Sequence, residues 1–176
     1  QGLACTVAAL ASGASQVFVS GLVHDEYRLG VARKLGATAT INVEADDLVS
    51  RVRDLTGGEG VDSVIDCTNA HGGGLVSTAL DALKRKGGNL LMQANGTVDG
   101  FPFGVIGAKY VTLRPARGHS YNAVEIGLKQ IASGRFPLNL IATDKFGLAE
   151  VDRAIRSTAG ELSKEAIHVT VDPWQN

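Results

Sequence analysis

Four short stretches concentrate the side chains best suited to hold a polar ligand: Ser20-Gly21-Leu22, Cys67-Thr68-Asn69, Gln93-Ala94-Asn95 and the run from Arg114 to Gly118. Each follows a β-branched or aliphatic run, and in an open parallel sheet the ligand sits beyond the carboxyl ends of the strands. The set is small, polar and rich in glycine, as a crevice for a nucleotide would be. Strand-to-helix turns have this composition in any such fold, so the turns alone do not name a ligand. Gly2 opens a helical stretch and matches the last glycine of a G-x-G-x-x-G turn, the one that lets a helix pack closely on its strand. The chain carries no evident acid-base pair. Its histidines, His24, His71, His119 and His168, are scattered without the spacing of metal ligands.

The elements that must position these residues are legible from periodicity. "QGLACTVAALASGA" reads as a helix of small apolar residues, and "QVFVSG" as a short buried strand. "DEYRLGVARKLGA" places Leu29, Ala32 and Leu35 on one helical face and keeps Arg28, Arg33 and Lys34 largely off it, with Gly36 as the stop. "TATIN" is a second strand, and "ADDLVSRVRDLTGG" an amphipathic helix with acids in its first turn. "GVDSVIDCTNA" reads as a buried strand, "GGLVSTALDALKRKGG" as a helix with basic residues in its last turn, and "NLLMQAN" as another buried strand. "GAKYVTLRPARG" adds a strand ended by Pro115, and "NAVEIGLKQIASGRFP" a helix closed by Gly134 and Pro137. Strands alternating with helices of this length specify a doubly wound parallel α/β sheet. The tail, with a strand and helix in "LIATDKFGLAEVDRAIRSTAG" and a strand in "EAIHVTVDP", has a different character and implies a separate sheet or an appended subdomain.

Composition excludes several classes of function. In 176 residues, Lys plus Arg number 17 and Asp plus Glu 18, which leaves no electrostatic footprint for nucleic acid or an anionic membrane. No apolar run approaches the roughly 20 residues that cross a bilayer, and no basic leader opens the chain, so a soluble cytoplasmic protein is expected. Cys5 and Cys67 lie far apart without CxxC spacing, which fits a reducing compartment. The 22 glycines stand against 5 Phe, 3 Tyr and 1 Trp, a balance suited to tight turns and close helix-to-sheet contacts.

The order and wording of "QGLACTVAALASGA", "RLGVARKLGATATIN", "DLVSRVRDLTGGEGVDSVIDCTN", "ALDALKRKGGNLLMQ", "VTLRPARG" and "FPLNLI" resemble the cofactor-binding half of the zinc-dependent medium-chain alcohol dehydrogenases, including the polyol and threonine dehydrogenase branches. The resemblance covers almost the whole chain, and "RLGVARKLGA" and "GGEGVDSVIDCT" carry most of it. It implies a Rossmann-type sheet over residues 1–137 that begins partway through its phosphate loop, lacking a first strand central to a 3-2-1-4-5-6 order. Residues 138–176 would return to the catalytic domain. It implies a protein that transfers hydride between a secondary alcohol and NAD or NADP, with catalytic zinc bound outside this chain by an N-terminal domain. Two other readings stay open: a zinc-free quinone reductase of the same superfamily, and a regulatory module that binds NAD(H) without turnover.

The same resemblance implies site roles. Gly2 and Leu3 would approach the pyrophosphate; Ser20, Gly21 and Leu22 would flank the adenosine ribose; and Arg28 would lie on the adenine side. Cys67 and Thr68 would line the path toward the nicotinamide. Met92 and Gln93 would meet that ring through the backbone, with Arg117 and Gly118 nearby. The strand at 108–115 would pair with its copy in a homo-oligomer. The sequence departs from the pattern in two places. Gly21 stands where an Asp normally ends the second strand and takes the ribose hydroxyls, and the following turn is longer than usual. Asp25 could reach back to the ribose, which favours NAD, or Arg28 and His24 could receive a 2′-phosphate, which favours NADP; the balance falls to NAD. Pro115 also replaces a customary glycine.

Overall fold

The computed structural model describes residues 1–68, 73–93, 100–116 and 118–175. Asn69, Ala94, Asn95, His71 and Arg117, named above, lie outside them. The chain divides into two compact units, one made of residue 1 with 43–119 and the other of residues 2–42 with 120–176. Among the described residues, no helix is long and apolar enough to cross a membrane.

In the second unit α1 (Gly2–Ala11) is followed by β1 (Phe18–Gly21), α2 (Glu26–Leu35) and β2 (Ala39–Asn42). β1 and β2 pair in parallel, with Phe18 opposite Ala39 and Gly21 opposite Asn42. The apolar stripe of α2 is buried as its period requires, with Leu29 3%, Ala32 0% and Leu35 2% exposed. Leu3 and Val7 of α1 join Val31, Ala32 and Leu35 in one core, against which Val19, Phe136, Leu138 and Ile141 pack. α2 stops at Gly36, whose φ of 108° is left-handed backbone and whose N–H donates to the carbonyls of Ala32 and Arg33.

The same unit holds α6 (Tyr121–Ser133), started by Ser120, whose hydroxyl accepts from the Ala123 amide. The tail forms β6 (Ala142–Gly147), α7 (Val151–Thr158) and β7 (His168–Asp172), with β6 and β7 in a parallel ladder of their own.

The first unit runs α3 (Leu48–Leu55), β3 (Ser63–Asp66), α4 (Gly73–Ala82), β4 (Asn89–Met92), α5 (Phe103–Lys109) and β5 (Thr112–Pro115). β3, β4 and β5 pair in parallel in that order, with Asp66 opposite Met92 and Met92 opposite Pro115. Val76, Ala79, Leu80 and Leu83 pack with Leu90 of the central strand to make the core.

Three expectations change. α4 ends at Ala82, so Lys84, Arg85 and Lys86 lie beyond it rather than in its last turn. Leu83 there leaves the helix and makes an isolated parallel bridge with Val61, while Lys84 reaches Asp62 at 2.7 Å. The strand expected over 108–115 begins only at Thr112, because Ala108 and Lys109 end α5. The residue that separates helix from strand is Tyr110, in left-handed backbone at φ 54°, with its N–H on the Ile106 and Gly107 carbonyls. β3, read as buried, exposes Ser63 and Ile65, because alternate side chains leave a strand on opposite faces and only Val64 joins the core beneath α4.

Candidate functional site

The parallel register brings one group of candidates together in the first unit. Because Asp66 and Met92 are level, Cys67-Thr68 and Gln93 leave the sheet side by side, and the Gln93 amide donates to the Asp66 carbonyl at 3.0 Å. The Ala116 amide then donates to the Met92 carbonyl at 2.9 Å, so the chain beyond β5 leaves from the same end. Gly118 follows, exposed and at φ 70°. Arg117 lies outside the described residues.

Asp66 also belongs to this group. The Asp66 carboxylate accepts the Thr68 amide at 2.9 Å and shapes the turn at the end of β3. The signal was present in Asp66-Cys67-Thr68, since an Asp two residues before an amide it can reach is the pattern of an Asx turn.

A second group gathers in the second unit at the carboxyl end of β1. Ser20 is exposed and Gly21 half-buried. Leu22 and Asp25 exchange hydrogen bonds: the Leu22 amide donates to Asp25 Oδ2 at 3.1 Å, and the Asp25 amide to the Leu22 carbonyl at 2.9 Å. Arg28, one turn into α2, donates through Nη1 to Asp25 Oδ1 at 3.3 Å and through Nη2 to the Ala166 carbonyl at 2.7 Å. His24 Nε2 lies 3.7 Å from Asp25 Oδ2.

At the start of α1, Gly2 is half-buried and its carbonyl accepts the Thr6 hydroxyl at 3.0 Å. Leu3 is 8% exposed and its side chain belongs to the core, so any approach it makes to a ligand is through its backbone.

Within the second unit the Asp25 carboxylate can accept from hydroxyls and the start of α1 offers amides for a phosphate; within the first unit the strand-end backbone can meet an amide-bearing ring. They offer no metal centre. Among the described residues no three His, Cys, Asp or Glu side chains come together as ligands. His24 sits on an exposed turn, and His119 and His168 are exposed.

The chain is similar to a sorbitol dehydrogenase of Bacillus subtilis (strain 168), 27% identical over 174 residues, which cover 98% of this chain and 47% of that protein. It is also similar to a 2-haloacrylate reductase of a Burkholderia species, 37% identical over 109 residues, covering 57% of this chain and 31% of the relative. Among solved structures, an alcohol dehydrogenase from Thermus sp. ATN1 superposes with a TM-score of 0.81 at 28% identity, covering 97% of this chain and 48% of that one. The chain thus spans under half the length of these relatives. The model of the zinc-binding dehydrogenase family matches residues 2–133, and the chain belongs to that family.

Proposed function

We propose that this chain is the dinucleotide-binding part of an NAD(P)-dependent dehydrogenase that moves a hydride between a secondary alcohol or polyol and the nicotinamide ring. The observation that carries the reading is the level register of β3 and β4, which sets Cys67, Thr68, Met92 and Gln93 at one sheet end, where a parallel α/β sheet binds its ligand. Residues 1–137 would serve the dinucleotide, and 138–176 would return to a catalytic domain. In this reading, zinc would be held outside the chain, where it would supply polarisation of the alcohol oxygen. The residues of this chain would serve the cofactor unit by unit: amides at the start of α1 would meet a pyrophosphate, and, in the other unit, the strand-end backbone at Met92 and Gln93 would meet a nicotinamide amide. The strand Thr112–Pro115 at the edge of its sheet would pair with a second copy and so satisfy its free backbone groups.

The experiment is a cofactor-reduction assay on the complete protein carrying this chain, run with a panel of secondary alcohols and polyols. Alcohol-dependent formation of NADH or NADPH that disappears on zinc chelation is the expected result. The similarity to a 2-haloacrylate reductase favours one second reading, a zinc-free reductase of the same superfamily. That enzyme would instead consume the reduced cofactor with a quinone or an activated double bond, indifferent to chelation. Dinucleotide binding with neither activity would indicate a regulatory module.

A further inference from the structure

The Rossmann pattern ends its second strand with an acid that takes the ribose hydroxyls, and here that position is Gly21. The structure shows what fills the space. A Cβ built on Gly21 would lie 3.1 Å from Asp25 Cβ, 3.3 Å from Asp25 Oδ2 and 3.3 Å from Leu29 Cδ2. A side chain at 21 would therefore press against Asp25 and Leu29. The turn from Leu22 to Asp25 brings this carboxylate back over the end of β1, where the Leu22 amide holds it. Its side chain is 26% exposed, so it is held in place yet open to a ligand. Each carboxylate oxygen accepts one of the hydrogen bonds described, from Leu22 and from Arg28, which leaves lone pairs for two hydroxyl donors.

Arg28 bears on the choice of cofactor in the same way. A guanidinium receives a 2′-phosphate when its nitrogens are free to fork onto it. Here Nη1 is held by Asp25 and Nη2 by the Ala166 carbonyl, a contact 138 residues away in sequence. A 2′-phosphate would also bring about two negative charges against the Asp25 carboxylate.

The geometry points to Asp25 as the residue that selects NAD(H) over NADP(H), its carboxylate moved from the strand end into the lengthened turn, with Gly21 making the room and Arg28 acting as a positioning residue. This inference rests on the dehydrogenase reading above and deepens it by naming the cofactor. Arg28 braces the carboxylate against the segment that precedes β7.

The test is binding rather than turnover: titration of the complete protein with NADH and with NADPH, followed by nicotinamide fluorescence, for the parent and for Asp25→Asn, Asp25→Ser and Arg28→Ala. Serine at 25 keeps an oxygen that can accept from the Leu22 amide and so preserves the turn. The parent is expected to bind NADH at least about tenfold more tightly than NADPH, the scale of one lost charged hydrogen bond. Both substitutions at 25 should shrink that ratio about tenfold, and Arg28→Ala should shrink it less and in the same direction. Equal or tighter binding of NADPH by the parent would overturn the inference, as would variants at 25 that weaken both cofactors alike, or an Arg28→Ala that selectively loses NADPH. Should the variants fail to fold, the ratio in the parent still decides. Binding of neither dinucleotide would overturn the dehydrogenase reading itself, whereas tight NADPH binding with turnover overturns only the assignment to Asp25.

Discussion

Arg53 of α3 donates through Nη2 to the carbonyl oxygens of Asp81 and Leu83 at 2.8 and 3.1 Å, and so fastens one helix to the exit of another. Its Nη1 holds the Gly58 and Glu59 carbonyls at 3.0 and 2.7 Å. Lys109, from α5, reaches the Leu80 and Leu83 carbonyls of the same exit. Carbonyls at a helix end have no partner within the helix, and a cation there meets both that need and the negative end of the dipole. Arg53→Ala is expected to destabilise the protein by about 1–3 kcal/mol, read as a lower midpoint in urea. A midpoint unchanged from the parent would show that water replaces the guanidinium at no cost.

Gly60 lies inside this junction. Its φ is 85°, and a Cβ there would stand 2.7 Å from the Ala82 carbonyl oxygen and 2.8 Å from Arg53 Nη1. Gly60→Ala therefore combines left-handed strain with collision against backbone, for an expected loss of about 2–4 kcal/mol. Gly57, at φ 61° with nothing within 4 Å of its Cβ, is the control; alanine there should cost about 1 kcal/mol from backbone strain alone. Equal losses at the two positions would remove the junction's packing as the cause.

Acid should weaken two specific ties. Asp47 caps α3, and its carboxyl is held below the usual value of 3.8 by the Ser50 side chain and backbone. The Asp172 carboxyl is held below 3.8 by the hydrogen bond from Lys145, and next by the Trp174 amide. In each case the unfolded chain binds the proton more tightly than the folded one. The contribution is therefore complete above pH 3.8 and is lost as the pH falls through the lower folded value. The melting temperatures of Asp47→Ala and Asp172→Asn should lie below the parent's near neutrality and converge on it as the pH falls through the lowered folded values. A gap that persists there would assign the effect to packing.

Gly2→Val tests the pyrophosphate end. A branched side chain at the start of α1 should crowd the phosphates and raise the Kd for the dinucleotide about tenfold or more. Because Gly2 opens the helix rather than sitting inside it, the melting temperature should fall less than the affinity suggests. Unchanged affinity would move the phosphate contact elsewhere.

What could be read from the sequence was local. The spacing of Leu29, Ala32 and Leu35 set the buried face of α2, because the helical period is fixed by the backbone. Gly36 set its end, because left-handed backbone is cheap only without a Cβ. The strand runs set a parallel α/β fold and placed the candidate ligand residues at strand ends.

Tertiary structure decided what depended on partners distant in the chain. Leu83 abandoned the pattern of α4 to bridge Val61, and Tyr110 divided what read as one strand into α5 and β5. Arg28, which the sequence left on the adenine side and able to receive a 2′-phosphate, is drawn to Asp25 and to Ala166. The reason is physical. Periodicity and capping act over a few residues and are written in them, whereas the direction of a long flexible side chain is chosen by whichever carbonyl or carboxylate the fold brings within hydrogen-bonding reach.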